Sequence, residues 1–336
     1  MGVFVFLPLV LPLTALPIAR LAERHLHPRR AARLLTAVAV ILASCSTLCL
    51  GLLVVVGTAQ LPGNPLPDGW SDPEVREAVP HDQFFGKAAI VALVLVAAAC
   101  ARLVLRHCRF HALAHRTLDS SPDRSDVAVL RDASPYAYAL PGSSRSSWLS
   151  RSPGALGFSG SPGSPGSSGS SGRIVVSTGM LACLEPPERE ALLAHERAHL
   201  AGRHHRLLLA VRLAGCANPL LRPLMSAVTY GTERWADEEA ARVTGDRRTT
   251  ALAVGKAALV SRHASVPPLP AFAAGPVPRR VAALLGPVPP DRRWPPALTP
   301  TGVAAYVAAA GTALSALSAL NAAVALFLVL KAATPL

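Results

Sequence analysis

Residues 34–59 contain no charged side chain, and neither do residues 303–330. As helices rising 1.5 Å per residue, both runs are long enough to cross the roughly 30 Å hydrocarbon core of a bilayer. A third run, 88–105, is interrupted only by Arg102, close enough to one end for its guanidinium to reach the headgroups. Residues 3–19 are apolar too, but Pro8, Pro12 and Pro17 make them the least regular candidate. The chain of 336 residues is 16% charged, where soluble domains carry about 25%. Together these features predict an α-helical membrane protein with four spans.

Loop charges orient the spans. No Lys or Arg precedes the first run, so the basic n-region of a cleaved signal peptide is missing. The basic residues follow it instead, at Arg20, Arg24, Arg29, Arg30 and Arg33, which places the 20–33 loop in the cytoplasm. Across 60–86, Asp68, Asp72, Glu74, Glu77 and Asp82 oppose one Arg76, so this loop is expected outside. Arg102, Arg106, Arg109 and Arg116 return the chain to the cytoplasm. The expected organisation is therefore three spans in 1–105, a cytoplasmic domain over 106–300, and a fourth span with a short exterior tail in 301–336. The net charge of +13 lies largely beside the spans, where topology and anionic lipid account for it. No basic–aromatic interleaving is visible, so nucleic acid is not an expected partner. The six cysteines form no CxxC pair, and they read as small buried hydrophobes rather than a disulfide framework.

Within 106–300, residues 106–116 extend the third span as a basic helix. Val127–Arg131, Tyr136–Leu140 and Ile174–Val176 read as short strands, with a turn at Ser134-Pro135. Residues 142–172 are dominated by Ser, Gly and Pro and cannot bury enough surface to offset chain entropy, so they predict a disordered insertion in a hairpin. Pro186-Pro187 opens a helix that runs to about Leu200, with Gly202 near its end. Residues 207–229, broken by Pro219 and Pro223, predict a broken helical pair; further helices are expected over roughly 231–243, 248–262 and Arg279–Leu285.

The chemistry lies on the 186–200 helix. His195 and His199 stand four residues apart, one turn above the other on one face. Two neutral imidazoles so placed can both reach one Zn²⁺ at about 2.0–2.1 Å. Glu196 sits beside them, badly placed to be a third ligand but near a metal-bound water, which suits a general base. Downstream, Glu233 and Asp237 share one helix face. Glu233 can supply the third ligand, and Asp237 can accept the second N–H of a ligating histidine. The bland alternative makes both solvated helix charges, like Glu238 and Glu239. A rival third ligand also exists, because His195 to His205 satisfies HExxHxxGxxH; in that scheme His205 binds the metal over a methionine turn at Met225.

Ala194-His195-Glu196-x-x-His199, set after a strand and a Gly179-Met180-Leu181 turn and followed by Glu233-Arg234-x-Ala236-Asp237-Glu238, resembles the membrane gluzincin peptidases. The beta-lactam-sensor/antirepressor type is most similar, with the HtpX-like and CAAX-processing proteases as wider relatives. The resemblance covers the spans and about 127–285. It implies a cytoplasmic α+β gluzincin-like domain in which His195, His199 and Glu233 hold Zn²⁺ and Glu196 is the base. Sensor members carry an exterior penicillin-binding domain after the last span, and this sequence ends there, so direct beta-lactam sensing is not expected.

The expected protein is a plasma-membrane zinc metalloendopeptidase facing the cytoplasm, acting on protein or peptide substrates, a transcriptional repressor among them. The alternatives are a quality-control protease for membrane proteins and a non-catalytic signalling scaffold, against which the intact Glu196 argues. The strand at 174–176 is expected to pair with an extended substrate. Tyr230, His204 and Arg242 are the nominees for the oxyanion donor.

Overall fold

The computed structural model describes residues 2–59, 82–119, 125–142, 172–261, 276–291 and 294–332. Two 3₁₀ turns, Gly2–Val5 and Leu11–Ala15, flank the short helix α1 (Leu7–Val10); α2 (Leu16–His25), α3 (Pro28–Ala59) and α4 (Asp82–Asp119) follow. Three strands, β1 (Val127–Leu130), β2 (Ala137–Leu140) and β3 (Arg173–Ser177), lead into α5 (Thr178–Ala182) and α6 (Pro186–Ala201). The remaining helices are α7 (His204–Ala217), α8 (Arg222–Thr244), α9 (Arg247–Ser261), α10 (Val277–Leu285) and α11 (Pro300–Ala332). The expected exterior loop lies mostly outside the described residues, as does nearly all of the 142–172 insertion.

The chain divides into two compact units. The first comprises Met1–His107, Arg206–Thr232 and Val288–Leu336; the second comprises Cys108–His205 and Glu233–Pro287. Residues 206–232 thus group with the apolar helices, although they lie inside the segment expected to form one domain.

Among the described residues, three helices are long and apolar enough to cross a membrane: Pro28–Thr58, Phe84–Leu118 and Pro300–Ala332. The four-span expectation changes here, because the apolar N-terminal stretch Leu7–Ala22 falls short of span length. Proline explains the break. Pro12 has no N–H, so the Pro8 carbonyl loses its helical donor; Ser46 Oγ from α3 donates to it instead, at 2.6 Å. Asn218 Nδ2 donates both to the Leu9 carbonyl, at 3.1 Å, and to Ser46 Oγ, at 3.0 Å. Ala15, Ile18 and Ala22 then pack with Leu35, Ala39 and Leu42 of α3 and Ala304, Ala305 and Ala308 of α11. Where α3 meets α4, Gly57 and Gly86 face each other so closely that a Cβ on Gly57 would lie 2.6 Å from the Gly86 backbone. Small residues permit such approach between apolar helices, where burial of oily surface gives little drive. Val91, Val94 and Leu95 of α4 are exposed, as lipid-facing side chains would be.

In the second unit, the sheet order is β1-β3-β2, with β3 parallel to β1 and antiparallel to β2. The antiparallel β2–β3 pair is the hairpin expected around the insertion. Alternation along β3 serves two layers. Val176 joins Met180, Leu184, Leu192 and Val254, while Val175 joins Ala114, Leu118, Tyr138 and Leu140. Because β3 is paired on both edges, it has no free edge for a substrate strand. That expectation therefore passes to a neighbouring strand.

The helix carrying the histidine pair starts as expected. Glu185 and Glu188 form a reciprocal capping box around Pro186 and Pro187, with the Glu185 N–H donating to Glu188 Oε2 at 2.8 Å. Lys256 of α9 pairs with Glu188 at 2.6 Å. The helix expected over 231–243 is longer, running from Arg222 to Thr244. Pro223 sits in its first turn, where a missing N–H costs nothing, and Gly231 fits against Ala32 rather than breaking the helix.

Candidate metal centre

All members of this site belong to the second unit. One turn of α6 brings His195 and His199 together, with Nε2 atoms 3.0 Å apart. From α8, Glu233 Oε2 stands 3.5 Å from His195 Nε2, and Glu233 Oε1 stands 3.6 Å from His199 Nε2. Ligands bound at about 2.1 Å to a tetrahedral zinc stand about 3.4 Å from one another. The observed separations bracket that value. Among the described residues, His195, His199 and Glu233 are the group of side chains close enough to hold one metal ion, and His205 is not part of it.

The other ring nitrogens are occupied in the sense a metal site needs. His195 Nδ1 lies 3.1 Å from Asp237 Oδ1, and His199 Nδ1 lies 2.8 Å from His204 Nδ1. Each imidazole thus has a polar neighbour at Nδ1 and turns Nε2 toward the common point, the arrangement by which partners of metal-ligating histidines orient the ring. This donor set fits zinc.

Glu233 and Asp237 are buried, at 4% and 0% exposure, so they are not solvated helix charges. Glu239 is: it pairs with exposed Arg242 at 2.6 Å. Glu238 is buried between Arg234 and Arg247 and ties α8 to the start of α9. Arg242 is consequently a surface residue rather than an oxyanion donor, and His204 is committed to His199. Tyr230 is buried and belongs to the first unit.

Sequence reasoning missed Arg280. Its side chain, from α10, is fully buried and grips Asp237 through Nη2 at 2.6 Å and Nε at 2.8 Å. Its Nη1 lies 3.0 Å from Glu233 Oε2. The signal was present but faint: Arg280 shares a face with Val277 and Leu284, an arginine inside the apolar stripe of a short helix.

Electrostatics follow from burial and these partners. Burial alone would depress His195, but hydrogen bonds to Asp237 and Glu233 outweigh it and raise its pKa to about 9. Burial lowers His199 well below the usual histidine range, with His195 and His204 adding to the effect. For Glu233 and Asp237, burial works upward and is overcome by the Arg280 guanidinium and the histidines, so both stay low. Glu196 is the exception. Burial pushes it up to about 7, with the Glu233 carboxylate adding to the effect, although His195, Arg280 and the Ala139 N–H pull it back. A carboxylate poised near neutrality beside a metal-sized gap between imidazoles suits proton transfer. The Ala139 N–H also sets β2 beside this carboxylate, and among the described residues β2 pairs with β3 on one edge only.

Comparison with known proteins supports the same chemistry. No curated protein and no solved structure matches the chain. The model of Peptidase family M48 matches residues 165–221, which include β3 and all of α6 but end before Glu233. That match supports the M48 metallopeptidases, a zinc-dependent protease class, as the family this segment is similar to.

Proposed function

We propose that this protein is a membrane-bound zinc metalloendopeptidase, with Zn²⁺ held by His195, His199 and Glu233. The observation that carries the reading is the convergence of two Nδ1-anchored imidazoles and one buried carboxylate on a single point. Three carboxylates, Glu196, Glu233 and Asp237, surround that point against one guanidinium, Arg280, a balance that favours a cation. Zinc bound there supplies Lewis acidity, polarising the scissile carbonyl and acidifying water. Glu196 accepts the proton of the attacking water and hands it to the leaving amine nitrogen. Asp237 holds His195 in its coordinating tautomer, and Arg280 holds Asp237. A substrate strand lies along the outer edge of β2, which brings its backbone past Glu196.

Loop charges support a plasma-membrane protein with this unit in the cytoplasm, and the three apolar helices are compatible with it. In that setting the substrates are cytoplasmic or membrane proteins, and regulated cleavage of a transcriptional repressor is the favoured role over general quality control. Zinc analysis of purified protein tests the site. About one zinc per chain is expected. Glu233→Ala should lose it and His205→Ala should keep it; the reverse pattern would transfer the third-ligand role to His205.

A further inference from the structure

We propose that His204 is a positioning residue that holds the coordinating tautomer of His199, and that Gly202 and Arg203 exist in their present form to place it. The proposal rests on the metal-site reading above. Three observations lead to it. His204 is 1% exposed, and its ring stands edge-on to His199 with centroids 4.7 Å apart and Nδ1 atoms 2.8 Å apart. Trp235 closes the other side, at 4.4 Å between centroids. The third is the turn itself. Arg203 has φ of 51°, the left-handed region that non-glycine residues seldom adopt, and this bend at the end of α6 sends the next side chain back toward His199. A Cβ on Gly202 would collide with the His204 ring.

The proton count fixes the roles. When His199 offers the Nε2 lone pair to a metal, its one proton sits on Nδ1. Between two Nδ1 atoms 2.8 Å apart only one proton fits, so His204 Nδ1 accepts and its own proton sits on Nε2. His204 thus does for His199 what Asp237 does for His195, with a neutral acceptor in place of a charged one. Gly202 in the HExxHxxG pattern then makes room for the ring of His204, two residues on, and need not deliver His205 to the metal.

The test is competition for zinc between a chromogenic chelator and full-length purified protein. His204→Phe should weaken zinc affinity about 10- to 100-fold, the range for lost partners of metal-ligating histidines. His204→Asn keeps an acceptor near the Nδ1 position and should recover most of that loss. Gly202→Ala leaves the imidazole in the chain but displaces it, and should weaken zinc by a similar factor. Its φ of −74° accepts alanine without strain, so it stands in if His204→Phe does not fold. Equal affinity for wild type, Gly202→Ala and whichever His204 variants fold would overturn the proposal, as would equal weakening by Phe and Asn. Wild-type protein that takes up no zinc would instead sink the metal-site reading, and this proposal with it.

Discussion

Both compact units bury polar side chains, but of different kinds. The first unit buries Thr36, Ser46, Asn218, Thr232, Thr301, Ser315 and Ser318, all of them neutral. The second buries neutral Ser177 and Thr250, and with them Glu188, His195, Glu196, His204, Glu233, Arg234, Asp237, Glu238 and Arg280. Every charged side chain buried among the described residues thus lies in the second unit. A hydroxyl can return its proton to a carbonyl one turn back, as Thr36 does to Ala32 at 2.7 Å. A buried charge cannot be satisfied so locally and needs partners from other elements. The second unit therefore concentrates its interaction energy, and its fragility, around one point shared by α6, α8 and α10.

The strongest way to break this contrast is to show that the concentrated charge does nothing chemical. Glu196→Gln should lower peptide-bond turnover by about 10²- to 10⁴-fold, the usual contribution of a positioned acid–base group. Zinc content and folding should persist, because Glu196 is not a ligand in this reading. In cells the same variant should stabilise one or a few cytoplasmic proteins. Broad accumulation of membrane proteins, with no stabilised DNA-binding repressor, would defeat the regulatory role and leave the quality-control one. Turnover undiminished by the substitution would remove Glu196 as the base altogether.

A second measurement separates structural from catalytic charge. Arg280→Met leaves Asp237 and Glu233 buried without their guanidinium. Removing one partner of a buried pair costs about 3–5 kcal/mol. Hydrogen exchange in α6 and α8 reads this locally, which is useful because a chain of two units has no single unfolding free energy. Arg280→Lys should recover only part of the loss, since an ammonium lacks the fork that grips both Asp237 oxygens. Exchange in both helices unchanged by Arg280→Met would mean that the buried carboxylates find compensation elsewhere.

The same contrast explains what could be read from the sequence. His195, Glu196 and His199 lie on one helix, and so do Glu233 and Asp237; helical periodicity alone fixes which of them share a face. The uncharged runs announced α3, α4 and α11 because span length is set by the bilayer rather than by partners. Arg280 was not legible as a site residue, and His204 was legible only as an oxyanion nominee and not as the partner of His199, since each acts across a turn or between elements. Arg280 reaches Asp237 over 43 intervening sequence steps, and His204 depends on the single left-handed residue Arg203. The substrate strand was misassigned for a related reason. Ile174–Val176 is the most β-prone segment, but apolar character marks the strand buried in the middle of a sheet, and a strand paired on both edges has nothing left to offer.

The smallest effect is expected from the first unit, and it tests whether neutral burial there carries weight. The Ser46 hydroxyl has one proton and two nearby carbonyls, Pro8 at 2.6 Å and Leu42 at 2.9 Å. The Pro8 carbonyl is the one without a helical donor, because Pro12 follows it by four, so it takes the proton. Ser46 Oγ in turn accepts from Asn218 Nδ2. Ser46→Ala therefore removes a donor from Pro8 and an acceptor from Asn218. Polar contacts between apolar helices contribute about 0.6 kcal/mol on average and up to about 1.7. That corresponds to roughly 3- to 20-fold faster hydrogen exchange in Leu7–Val10 and Leu16–His25, with zinc affinity untouched. The loss stays small because each freed group can shift to a helical neighbour, an option denied to Asp237 when Arg280 is removed. An effect on exchange as large as that of Arg280→Met would erase the distinction between the two units. An effect below twofold would show that the proline-broken segment is held by the packing of Ile18 and Ala22 alone.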